Sequence, residues 1–172
     1  MAIYHFSAKV ISRKAGQSAV ATAAYNARDR LTDERTGELK DYHRKDGLLY
    51  SAIYAPQDAP DWAHDREQLW NHAETAEKRK DATIARNYTV ALPHELTREQ
   101  QRYLLEDFIK ENFTRKHYAA DLNIHEPDKE GDERNYHAHI QVTDRRLTPE
   151  GFAADKKERQ GMGNNIQELE HP

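Results

Sequence analysis

The chain has 172 residues, no cysteine, 26 Lys/Arg against 30 Asp/Glu, and a formal net charge of −4. That length buries a single core without covalent staples, and the missing thiols exclude both a disulfide framework and a thiolate metal site. No stretch approaches the ~20 consecutive apolar residues that span a bilayer, and the opening Met1-Ala2-Ile3-Tyr4-His5 lacks a signal peptide's basic and apolar regions, so a cytoplasmic location is expected.

Residues 2–10 alternate Ala2, Tyr4, Phe6, Ala8 and Val10 against Ile3, His5, Ser7 and Lys9, which predicts a strand. A helix is expected over about 17–31, with Val20, Ala23, Ala24, Ala27 and Leu31 as its apolar stripe. The next thirty residues read as irregular, with hairpin-like pieces at Thr36-Gly37 and Asp46-Gly47. A second helix is expected over 61–80, burying Trp62, Leu69, Trp70 and Ala73. Residues 86–92 then read as a strand stopped by Pro93. Thr97 and Gln100 form a capping box for a third helix carrying Leu104, Leu105, Phe108 and Ile109. Strands fit at 119–125 and 136–144. Beyond Gly151 apolar residues are scarce, and a loose tail is expected over 151–172 after a domain of 1–150. The order of elements predicts an α+β fold: an antiparallel sheet with helices packed on it.

Strand periodicity gives His137-Ala138-His139 its meaning. Both imidazoles point to one face with Gln141 and Thr143, while Ala138, Ile140 and Val142 point to the core. The preceding strand repeats the pattern, with Leu122 and Ile124 apolar and Asp121, Asn123 and His125 polar. Paired as a hairpin, the two strands bring His125 beside His137 and His139. Three neutral imidazoles holding a metal leave coordination positions open for water or substrate. An isolated His-x-His is more often plain surface; the third histidine on the matching face is what favours a site. Among the other histidines only His117 lies close enough to serve as a reserve ligand.

Tyr25 is the second signal. On a helix it lies roughly 140° from Val20, displayed among Ser18, Ala21, Thr22 and Asp29 rather than on the apolar stripe. A phenol is a weak nucleophile near neutrality and needs a positive environment, a base or a polarised electrophile. The charge distribution bears on phosphate binding near this helix. Residues 1–45 hold nine Lys/Arg and five Asp/Glu, a balance of +4, against −8 for the remainder. Lys9, Arg13, Lys14, Arg28 and Arg30 are therefore candidates for phosphate contacts. The plain alternative is a solvated mixed surface.

Taken together, the opening MAIYHFSAKVISRKAGQSAVATAAYNARDRL, the segments TDERTGELKDY and ARNYTVALPHEL, and the final DLNIH…NYHAH resemble the MobA/MobL (MOB-Q) relaxases of mobilisable and conjugative plasmids, over about residues 1–150. The resemblance implies an HUH-type endonuclease fold and the N-terminal nicking domain of a longer protein. It implies Tyr25 as the nucleophile and His125, His137 and His139 as ligands of a divalent ion. Manganese or magnesium is favoured, with zinc, cobalt or nickel also suited to imidazole. It further implies single-stranded origin-of-transfer DNA as substrate and accessory relaxosome and type IV coupling proteins as partners; a monomer is the default expectation. Relatives often carry Glu where this chain has Asn87, so a general base at that position is not expected; Arg86, Asn87 and Thr89 are candidate site neighbours. Other readings remain open. A metal-dependent hydrolase would use the histidines to activate water, and a binding module would use them for a structural ion. A replication initiator or transposase of the same class would more usually place its tyrosine after the histidines.

Overall fold

In the computed structural model, residues 5–127 and 135–156 are described. Along the chain they form β1 (His5–Ser12), α1 (Ala19–Ala27), β2 (Arg30–Asp33), β3 (Glu38–Asp41) and β4 (Leu48–Tyr54). A 3-10 turn over Asp61–His64 leads into α2 (Arg66–Thr75), β5 (Thr83–Leu92) and α3 (Arg98–Asn112). The remainder is β6 (Ala120–His125), β7 (Tyr136–Thr143), β8 (Leu147–Thr148) and β9 (Gly151–Phe152). Five strands build one antiparallel sheet in the order β1-β5-β7-β6-β4, and β2-β3 and β8-β9 are separate hairpins. The fold is the expected α+β arrangement. Among the described residues no helix is long and apolar enough to cross a membrane.

Each face of the sheet carries its own core. Tyr88, Val90, Leu92, Leu122, Ile124, Ala138 and Ile140 pack against Leu105, Phe108 and Ile109 of α3. The opposite face meets α1 and α2, whose Ala19, Val20, Ala23, Ala24, Leu69, Trp70 and Ala73 are buried with Ile11 and Ala85. The alanines of α1 let its backbone approach the sheet closely, so polar side chains from the strands reach helix main-chain groups.

Helix ends follow their caps. Ser18 accepts from the Ala21 amide, opening α1, and donates to Asp33. Both halves of the Thr97–Gln100 capping box form at α3. Three helix and strand expectations need correction. α1 stops at Arg28, which takes a left-handed conformation (φ 51°), and Leu31 lies instead in β2. The long second helix is divided, because Asp65 caps a fresh start by accepting from the Gln68 amide; α2 ends at Thr75. Residues 48–54, read as irregular, are edge strand β4. At the other edge, Phe6 stacks on Tyr88 but Val10 is 42% exposed, because α3 does not cover β1 along its length. Past Gly151, Phe152 packs on Trp62 and Lys156 pairs with Asp144, so the first six residues of the expected tail are held; residues 157–172 lie outside the described residues.

Candidate functional site

Strand register assembles the site. On β6 and β7, His125 lies opposite His137, Asn123 opposite His139, and Asp121 opposite Gln141. From the other side, β5 places Ala91, Thr89 and Asn87 opposite His137, His139 and Gln141. All these side chains share the face under α1, as alternation requires. The three histidines line one cleft of about 500 Å³ together with Tyr25, Arg28 and Lys45. The rings of His125 and His139 lie 4.8 Å apart between centroids.

Burial sets the charge state of two of these rings. Burial is the main cause that pushes His139 down to about 4, with His125, His137 and Arg28 adding positive charge nearby. His125 is also lowered, chiefly by burial; a backbone hydrogen bond to Asn26 opposes that, while Arg28, His137 and Lys45 add to it. Neutral imidazoles keep the lone pair that a cation needs. Yet among the described residues no group of three or more His, Asp or Glu is arranged to hold a metal ion. His125 gives a physical reason, since its Nε2 donates to the Asn26 carbonyl at 2.6 Å. Three imidazoles suit a divalent ion as a donor set, but here the ring of His125 is turned to the helix and its remaining lone pair is on Nδ1. His139 Nδ1 lies 3.4 Å from Thr89 Oγ1.

Tyr25 stands at the cleft, 41% exposed, on the polar side of α1. Its ring meets Tyr42 edge-on at 5.3 Å, with Arg28 Cζ 4.9 Å and Lys45 Nζ 4.8 Å from its centroid. Arg28 is fixed by donating from Nη1 to the Tyr25 carbonyl (2.7 Å) and from Nε to the Asp46 carbonyl (3.2 Å). The helix itself is fastened by amides. Gln141 Nε2 donates to Ala19 O at 3.0 Å at its start, and Asn26 Nδ2 donates to Asn87 Oδ1 at 3.1 Å at its end. Asn26, the residue beside Tyr25, thus links α1 to β5 through its side chain and to His125 through its carbonyl.

Deeper under the helices, Asp121 is fully buried and accepts four hydrogen bonds. They come from Arg66 Nε and Nη2 (2.8 Å each), Trp70 Nε1 (2.9 Å) and Asn123 Nδ2 (3.0 Å). This network stiffens the strand that carries His125.

Several candidates from the sequence lie elsewhere. Arg86 alternates away from Asn87 and Thr89 onto the other face, 3.6 Å from Asp144. Arg13 is a structural anchor rather than an open phosphate ligand: its guanidinium donates to the carbonyls of Glu74, Glu77 and Arg79 and to the Glu74 carboxylate. Arg30 lies on β2, 3.4 Å from Asp41. Lys9 is exposed on edge strand β1 opposite Asn87, and Lys14 is exposed in the following turn. His117 is exposed beyond the far end of β6 and does not line the cleft. Of the five basic candidates, only Arg28 lines it. Lys45, Tyr42 and Asn26 were not legible as site residues, although Lys45 belongs to the basic stretch 1–45.

An antiparallel sheet presenting histidines from two adjacent strands toward a tyrosine on the first helix is the architecture of an HUH-type relaxase domain. Comparison with known proteins agrees. A solved structure on the molecular basis of vancomycin resistance transfer in Staphylococcus aureus superposes with a TM-score of 0.77 at 30% identity, covering 98% of this chain and 94% of that one. The conjugal transfer protein TraA of Agrobacterium fabrum is 42% identical over 166 residues, 91% of this chain. The mobilization protein MobL of Acidithiobacillus ferridurans is 38% identical over 177 residues, again 91% of this chain. The model of the MobA/MobL family matches residues 17–171, and the chain belongs to that family. It spans 15% of the TraA protein and 46% of the MobL protein.

Proposed function

We propose that this domain nicks and rejoins one strand of DNA at a plasmid transfer origin by transesterification through Tyr25. The observation that carries the reading is the cleft in which an exposed tyrosine, two cations and three histidines meet. Tyr25 Oη attacks a phosphodiester in line, forming an O–P bond while the bond from phosphorus to the 3′ oxygen breaks, with net transfer of the phenolic proton to that leaving oxygen. The strand then holds a 5′-phosphotyrosine and a free 3′-hydroxyl, and reversal rejoins it. Arg28 and Lys45 draw the phosphate to the tyrosine and offset charge as it develops. Asn87, an amide engaged with Asn26, orients the helix and takes no proton. His125, His137 and His139 would hold a divalent ion, favoured as manganese or magnesium, that when bound supplies positive charge at a non-bridging phosphate oxygen. The substrate is single-stranded origin DNA, handled by a cytoplasmic monomer with accessory relaxosome and coupling proteins as partners.

The test is incubation with labelled single-stranded oligonucleotides tiling a transfer origin, with manganese, resolved on a denaturing protein gel. Wild type should give a label-bearing shifted band that Tyr25→Phe and EDTA abolish. Cleavage persisting in Tyr25→Phe with no adduct would replace this reading with a hydrolase in which water is the nucleophile.

A further inference from the structure

A second cleft, of about 330 Å³, lies on the opposite face of the sheet, between β4 and the first turns of α3. Leu49, Tyr50 and Ile124 form one wall, and Arg98, Gln101 and Arg102 the other. Gln101 is 1% exposed, and its Nε2 has no hydrogen-bond partner among the described residues. A buried amide donor without an acceptor is costly, and a turn of the Gln101 side chain toward the cleft it lines would let a ligand supply one. Arg102 lies over the Tyr50 ring, 5.3 Å from its centroid, so an aromatic surface and a planar cation border the same space.

The two clefts are back to back. His125 lines the first and its neighbour Ile124 the second; Gly47 lines the first and Leu49 the second. Only one sheet thickness separates them, at β4, the outermost strand of the order β1-β5-β7-β6-β4. A strand of DNA leaving the tyrosine cleft therefore has a short path round that edge. Leu49 marks the path, falling where the β4–β6 register shifts between Leu48 and Tyr50.

We infer that this cleft is a nucleobase-binding subsite for single-stranded DNA flanking the bond at Tyr25. A base stacks against Tyr50 and Arg102, the Gln101 amide donates to a ring carbonyl or nitrogen acceptor, and Arg98 meets the adjoining phosphate. Stacking on an aromatic platform tolerates any base, whereas the amide demands an acceptor edge. Glu99 also lines the cleft, so its wall carries one carboxylate beside two guanidiniums. The inference rests on the proposed function, since it takes single-stranded DNA as the ligand.

The test compares two probes of equal charge, fluorescein-labelled dT30 and an abasic 30-mer, by anisotropy with the full chain at low salt. Phosphate contacts alone bind both equally. A base subsite makes wild type prefer dT30 by roughly tenfold. Gln101→Met and Arg102→Gln should shrink that preference while leaving abasic binding and thermal stability near wild type. Equal affinity of wild type for the two probes, or a preference untouched by both substitutions, overturns the subsite and leaves the tyrosine chemistry standing. Binding of neither probe counts against the proposed function itself, and the subsite falls with it.

Discussion

Replacing Arg66 by Met isolates the buried support under the histidines. Asp121 is fully buried and Arg66 supplies two of its four hydrogen bonds; Arg66 Nη2 also donates to Ser51 at 2.8 Å. Removing one partner of a buried ion pair typically costs about 3–5 kcal/mol, because the other charge is left uncompensated. Trp70 and Asn123 still donate to the carboxylate, and Arg66 is 16% exposed, so the lower end applies: about 3 kcal/mol. For a chain of this length that lowers Tm by roughly 6–12 °C. The assay is urea unfolding at pH 7 with EDTA, followed by circular dichroism, with the m-value checked for constancy. Adding Asp121→Asn removes the stranded charge, so the double variant should recover at least about 1 kcal/mol relative to Arg66→Met alone. A loss below about 1 kcal/mol for Arg66→Met, or a double variant as unstable as the sum of the singles, would mean that Arg66 does not compensate the buried Asp121 charge.

Other outcomes follow from the same geometry. Asn87→Leu should destabilise by about 1–3 kcal/mol by stranding the buried Asn26 amide, whereas Asn87→Asp, which keeps an acceptor, should cost less in the same unfolding assay. His139 titrates near 4 when folded and near 6.5 when unfolded, so protons favour the unfolded chain. Metal-free stability is therefore full above about pH 6.5 and falls toward pH 4, by up to about 1.4 kcal/mol per pH unit, and His139→Asn should flatten that limb in calorimetric scans. Lys45→Ala should weaken single-stranded DNA binding and reduce the slope of log affinity against log salt by about 0.7, the amount for one lost phosphate contact.

Local pattern made the histidine rows legible. Ala138, Ile140 and Val142 opposed to His137, His139 and Gln141 marked which face is polar, and the matching alternation in β6 put His125 on that same face; the pairing of His125 with His137 required the fold. Thr97 and Gln100 announced α3 for a similarly local reason, since a capping box needs only four residues. Boundaries set by weak signals were not legible. α1 ends on a left-handed Arg28 where glycine would have been the usual marker. β4 escaped notice because Leu48–Tyr54 is half-buried throughout and shows no clean alternation. Partners distant in sequence were invisible altogether. Nothing near Arg13 or Arg86 reveals that Glu74 and Asp144 engage them, and nothing near Lys45 reveals that it faces Tyr25. The nucleophile candidate could be named from its helix face and the family resemblance; its surroundings required the fold.

The chain has nine tyrosines, and the proposed function requires that Tyr25 be the one that takes the DNA strand. Tryptic digestion isolates it, since cleavage after Lys14 and Arg28 releases residues 15–28 with Tyr25 as their sole tyrosine. The direct measurement is mass spectrometry of the trypsin- and nuclease-treated adduct formed with origin DNA. The expected result is a nucleotide remnant on that peptide, fragmenting to Tyr25. A remnant on any other residue, or strand cleavage that leaves every tyrosine unmodified, would contradict it.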